Sequence, residues 1–181
     1  MNNGKKVLII GLTLLTGFTY SAGAVTKDMK KVVDEALEFS VKQSMSMFNE
    51  MKDQKGILPR TAKDGKMITC ESAWWTSGFY PGSLWYCYEY SNDPQVRAAA
   101  EEMTSRVEKQ KYTTSNHDVG FIINCSFGNG YRLTHNETYR EVIETAAKSL
   151  STRFHPVTGC TRSWNSKKWP VSYTHLRAHE T

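Results

Sequence analysis

His117 and Asp118 stand side by side in "TTSNHDVGFIINCSFGNGYRLT", at the head of an apolar segment from Val119 to Ile123. A carboxylate next to an imidazole can hold a sugar hydroxyl or move a proton to or from a reacting atom. An Asp at a helix start can equally be an N-cap, accepting hydrogen bonds from the first unpaired amides. The two roles coexist only if one carboxylate oxygen points away from the helix. Two more stretches suit a carbohydrate. "ESAWWTSGFYPGSLWYCYEY" sets Trp74 and Trp75 ahead of a helix, in a loop near Gly78, where an exposed ring can stack on a sugar. "GCTRSWNSKKW" combines a cation, a ring and an amide in Arg162, Trp164 and Asn165. Aromatics at helical spacing, Trp85 and Tyr88 among them, are expected in the core instead.

Amphipathic helices must position these residues. From Asp28 to Met51, apolar residues at Met29, Val33, Ala36, Leu37, Val41, Met45 and Phe48 mark one helix face, with Thr26 as a cap. "DQKGILPRTAKDGKMITCES" reads as a loop broken by Gly56, Pro59 and Gly65. Pro81 opens a short aromatic helix, and Asp93-Pro94 caps a longer one running through "PQVRAAAEEMTSRVEKQK". A helix from about Asp118 to Cys125 is followed by a Gly128-Asn129-Gly130 turn. Asn136 then caps "ETYREVIETAAKSLSTRF", whose inner face is Tyr139, Val142, Ile143, Ala146 and Leu150. No stretch shows a strand period. The expected fold is all-α: stacked helical hairpins in a toroid or solenoid, with the site loops gathered at one end.

Composition narrows the partners. Lys5 and Lys6 precede "VLIIGLTLLTGF", and small residues end at Ala22-Gly23-Ala24, the layout of a secretory signal over residues 1–24. Cleavage after Ala24 is expected, giving a periplasmic or secreted protein with no membrane attachment thereafter. Removing the signal takes away two Lys and no acid, so the formal charge falls from +5 to +3. With no basic stripe, a nucleic-acid partner is not expected. Cys70, Cys87, Cys125 and Cys160 could form two disulfides in an oxidising compartment, but Cys87 and Cys125 fall in apolar helical segments and read as buried free thiols. Their spacing matches no zinc pattern, so no metal site is expected.

"WTSGFYPGSLWYCYE", "HDVGF" and "TRSWN", in that order, resemble glycoside hydrolase family 88, the unsaturated glucuronyl hydrolases. Family 105, the unsaturated rhamnogalacturonyl hydrolases, is a more distant match. The resemblance covers about Val25 to Pro170. It implies the leading part of an (α/α)6 barrel over 25–171. It also implies action on oligosaccharides that end in a 4,5-unsaturated uronic acid, with no cofactor. In such a family a protonated Asp delivers a proton to C4, water adds at C5, and the hemiketal rearranges to release the sugar. By similarity Asp118 is one of two active-site aspartates, holding substrate and tuning the acid. His117 resembles the adjacent substrate contact, and Trp75 and Trp164 the stacking tryptophans. The second Asp is expected after a "PV" pair, yet no Asp follows Asp118. Pro170-Val171 runs instead into "SYTHLRAHET", and residues 172–181, with His175 and His179, read as a non-native tail. A chain stopping before the general acid would be inactive alone. A non-catalytic carbohydrate-binding toroid, or a polysaccharide lyase using a Tyr or His base, stays open on the residues themselves.

Overall fold

A computed structural model of the chain describes residues 27–165. The signal over 1–24, the Thr26 cap and the tail over 172–181 lie outside the described residues. The chain divides into two units, 1–35 and 36–181. In the first, the described residues are the opening turns of α1 (Lys27–Met51), where Lys30 pairs with Asp34 and Lys31 with Glu35. Met29 and Val33, expected on a buried face, are 55% and 44% exposed there.

The second unit is mostly helical. The remainder of α1 leads into β1 (Ile57–Lys63) and β2 (Lys66–Glu71). Then come α2 (Phe79–Ser91), α3 (Pro94–Ser105), a 3-10 turn (Glu108–Tyr112) and α4 (Val119–Ile123). A π-helical segment (Asn124–Gly128) joins α4 to α5 (Asn129–Thr134), and α6 (Glu137–Ser151) precedes the two-residue strands β3 (Phe154–His155) and β4 (Cys160–Thr161).

Two helix starts follow from their caps. Asp93 accepts from the Gln95 amide at 2.7 Å, with Pro94 at the first helical position, and Asn136 accepts from the Thr138 amide at 3.0 Å. The far end of α1 is closed from outside. The Arg106 guanidinium on α3's terminus donates to the carbonyls of Lys52 (3.0 Å), Gln54 (2.9 Å) and Ile57 (3.0 Å). α3 stops at Ser105, short of the long helix expected from the sequence. The chain tightens after Arg106, burying Val107 and letting Gln110 Nε2 reach Ser72 Oγ at 2.9 Å.

Two apolar clusters hold the unit together. One joins Met51 of α1, Tyr80, Leu84 and Trp85 of α2, and Ala99, Ala100 and Met103 of α3. Trp85 is fully buried, and its indole N–H donates to Thr104 Oγ1 at 2.9 Å, so its one polar atom is satisfied. The Tyr80 hydroxyl likewise donates to the Ser44 carbonyl at 2.8 Å. The other cluster joins Leu58 of β1, Val107, Val119, Ile122 and Ile123 of α4, Phe127, and Val142 and Ala146 of α6. Tyr139, Ile143 and Leu150 pack against it, as the α6 periodicity requires.

Two expectations are corrected. The segment read as a loop after α1 is an antiparallel hairpin with Ile57 opposite Glu71 and Lys63 opposite Lys66. Its turn is Asp64-Gly65, both at positive φ (50° and 71°), the conformation that an Asp-Gly pair favours between strands. The Gly128-Asn129-Gly130 turn does not exist either, because helix continues through it to Thr134. Gly130 serves packing: a Cβ there would lie 2.7 Å from the Tyr139 ring and 3.0 Å from the Trp85 ring. All four cysteines are free thiols, in line with expectation.

Candidate active site

Asp118 does not cap α4. Its backbone is already helical (φ −65°, ψ −11°) and its side chain makes no capping hydrogen bond. Two residues earlier, Asn116 Oδ1 accepts from the Asp118 amide at 2.9 Å, a local turn that leads into the helix. The Asp118 carboxylate is therefore left available for other work. Its side chain is 21% exposed, and Oδ1 lies 3.5 Å from His117 Nε2.

His117 is buried and fixed from the opposite side. Its backbone amide and its Nδ1 each lie 3.0 Å from the Ser163 carbonyl oxygen. A carbonyl only accepts, so Nδ1 carries the proton and Nε2 faces Asp118. A neutral ring would offer a lone pair on that side; a charged ring would offer a donor to the carboxylate. The Trp164 ring stands edge-on to His117, centroids 4.5 Å apart, and remains 48% exposed. An isolated bridge between Asn116 and Trp164 sets the two loops side by side.

Arg153 ties these loops together. Buried at the end of α6, it donates from Nε to the Arg162 carbonyl at 2.7 Å, from Nη2 to the Ser163 carbonyl at 3.0 Å, and from Nη1 to the Thr114 carbonyl. Burial, and the neighbouring Arg162 charge, push its pKa down from the ordinary arginine value. Three carbonyls around one guanidinium fork give the loop carrying Trp164 a single registration against the loop carrying His117.

Trp75 reaches α4 through other rings. It packs edge-on against Phe79 (5.7 Å) and Phe121 (6.2 Å), and Phe79 meets Phe121 at 6.1 Å. Phe121 lies one turn after Asp118, so this triangle positions Trp75 relative to the carboxylate. The approach depends on Gly78, where a Cβ would stand 2.2 Å from the Ile122 carbonyl oxygen. Trp75 is 43% exposed. His117, Asp118 and Trp164 thus form one cluster, with Trp75 joined through Phe121. Arg162 and Asn165 fall elsewhere, on a cavity of about 470 Å³ shared with Thr114 and His155.

No family model matches the chain. Among characterised proteins, it is 41% identical over 95 residues to an unsaturated glucuronyl hydrolase of Formosa agariphila, covering 52% of this chain and 24% of that protein. It is 28% identical over 137 residues to an unsaturated chondroitin disaccharide hydrolase of Streptococcus pyogenes, covering 73% and 33%. A crystal structure of an unsaturated glucuronyl hydrolase specific for heparin superposes with a TM-score of 0.65 at 34% identity, over 76% of this chain and 38% of that one. The chain is a homologue of the unsaturated glucuronyl hydrolases.

Those hydrolases are (α/α)6 barrels, and the helices described above make up part of such a barrel. The chain spans about a quarter to two fifths of the length of these glucuronyl hydrolases. The sequence did not disclose two residues. Arg153 pairs with no carboxylate among the described residues; its partners are carbonyls, which a sequence does not mark. Arg60 lies over the Trp74 ring, 3.9 Å from its centroid. An Arg beside Pro59 in an unrecognised strand gave no cue to that stacking.

Proposed function

We propose that the protein to which this chain belongs is an exported unsaturated glucuronyl hydrolase. It hydrates the 4,5-double bond of a terminal unsaturated uronic acid on oligosaccharides released by polysaccharide lyases. The observation that carries this reading is the Asp118 carboxylate, which makes no capping hydrogen bond and lies 3.5 Å from His117 Nε2. Asp118 holds substrate and, by its charge, favours the protonated form of a second carboxylic acid nearby. That acid donates the proton to C4; water adds its oxygen at C5 and returns a proton, and the hemiketal opens to release the sugar. His117 orients the same sugar, while Trp75 and Trp164 stack against it. The second acid comes from sequence beyond this chain, so residues 25–171 alone are inactive.

The test uses the intact protein and lyase-generated disaccharides, following loss of the absorbance of the conjugated double bond. Wild type should bleach it. Asp118→Asn should fold normally, since the side chain caps nothing, yet lose activity about a hundredfold or more, the scale usual for a proton-handling group. Unchanged absorbance with every lyase product would refute the hydrolase reading. Near-wild-type turnover by Asp118→Asn would remove Asp118 from the reaction.

A further inference from the structure

A cavity of about 600 Å³ lies between the second half of α1, the hairpin and the start of α2. Phe79 is on its wall and also in the ring triangle with Trp75 and Phe121, so one ring borders both the cavity and the aromatic platform beside α4. Three features of this wall are unexplained by packing. The strand register shifts between Pro59 and Thr61, which leaves Arg60 as the extra residue of a bulge. Bulges re-aim side chains, and this one lays the guanidinium over Trp74 at 3.9 Å. Arg60 is exposed and makes no ion pair among the described residues, although Glu50 lines the same cavity. The Thr76 hydroxyl, on the same wall, is buried and has no hydrogen-bond partner among the described residues.

Resting on the hydrolase reading above, we infer that this cavity is a second saccharide subsite. Arg60 is its specificity residue, recognising an anionic substituent, a sulfate or a carboxylate, on a sugar beyond the unsaturated one. A guanidinium whose central carbon sits over an indole, as Arg60 sits over Trp74, keeps N–H donors at its edge free to point away from the ring. It can therefore grip two oxygens of one anionic group without giving up the stack. Thr76 supplies a donor or acceptor for a sugar hydroxyl, as do Gln43 and Glu50 from α1. A bare anion would leave those groups unused; an anionic sugar uses both sets.

The experiment compares three substrates on the intact enzyme: an unsaturated disaccharide with no further anionic group, its sulfated counterpart, and an unsulfated tetrasaccharide with an additional uronate. Arg60→Gln should raise KM about 10- to 100-fold for the substrate whose anion is read, leave kcat unchanged, and alter the plain disaccharide less than about twofold. Arg60→Lys should recover part of the loss, since it keeps charge but not the fork. Loss with the sulfated disaccharide identifies sulfate as the anion, and loss with the tetrasaccharide identifies carboxylate. Equal loss on all three substrates, or none on any, overturns the inference. If wild type turns over none of them, the hydrolase reading fails instead. Calorimetric binding of the same three saccharides then decides Arg60 by the same pattern.

Discussion

Replacing Arg153 by Lys keeps the charge and removes the fork. The guanidinium now serves the carbonyls of Thr114, Arg162 and Ser163 at once, in a buried position. A single ammonium on a flexible stem can follow one of the three. The Ser163 oxygen would keep its bonds from His117, whereas Thr114 or Arg162 would be left without this donor. With each charge-assisted hydrogen bond contributing about 1.5–3 kcal/mol and water recovering part of the loss, Arg153→Lys should destabilise the chain by about 2–4 kcal/mol. Urea unfolding followed by circular dichroism should show a lower midpoint with an unchanged slope. Hydrogen exchange adds a local readout. The His117 amide, bonded to Ser163, should lose protection out of proportion, while amides around Trp85 follow only the global change. A loss below about 0.5 kcal/mol, a typical surface substitution, with His117 protection intact would show that Arg153 does not hold the two loops together.

Gly78→Ala sets a methyl 2.2 Å from the Ile122 carbonyl and 2.7 Å from its Cα, and neither backbone atom can step aside cheaply. It should cost about 1–3 kcal/mol in urea unfolding, and Trp75 fluorescence should shift as α2 moves off α4; a neutral effect on both would refute the close approach. Glu89 on α2 accepts two bonds from Arg132 on α5, at 2.6 and 2.7 Å, which hold its carboxyl below the ordinary carboxylate value. Because the folded value is the lower one, this pairing stabilises fully above the unfolded value near 4.5 and is lost as pH falls through the folded value. An acid titration of stability should lose that step in Arg132→Gln, and an identical profile in the variant would refute it.

Much of the helical frame was legible because its signals are local. Asp93-Pro94 and Asn136 announce their helices within two residues, and the α6 face repeats along fifteen. The hairpin was missed although Asp64-Gly65 is a strong turn signal. Pro59 looked like a breaker, and the bulge at Arg60 shifts the phase of any alternation along β1. Gly130 was misread because glycine marks a tight approach between helices as readily as a turn. The neighbourhood of His117 and Trp164 was anticipated from residue types suited to a carbohydrate and from motif resemblance; nothing local links residues forty-seven positions apart. The capping alternative for Asp118 failed because its backbone is already helical and its side chain bonds no amide of α4.

The Ser163 carbonyl, which receives the His117 amide, His117 Nδ1 and Arg153 Nη2, has a consequence for how the protein is made. Synthesis runs from the N-terminus, so α2 and α3 can pair while the rest of the chain is still inside the ribosome. His117 and Asp118 emerge well before residue 163. During that interval the imidazole lacks the acceptor that sets its orientation, and the carboxylate has no fixed partner to face. The corner formed by His117 and Asp118 is thus fixed only once residue 163 has emerged, after the helices α2 to α6 that support it. A chain released before residue 163 would carry both residues of the pair and hold neither in position.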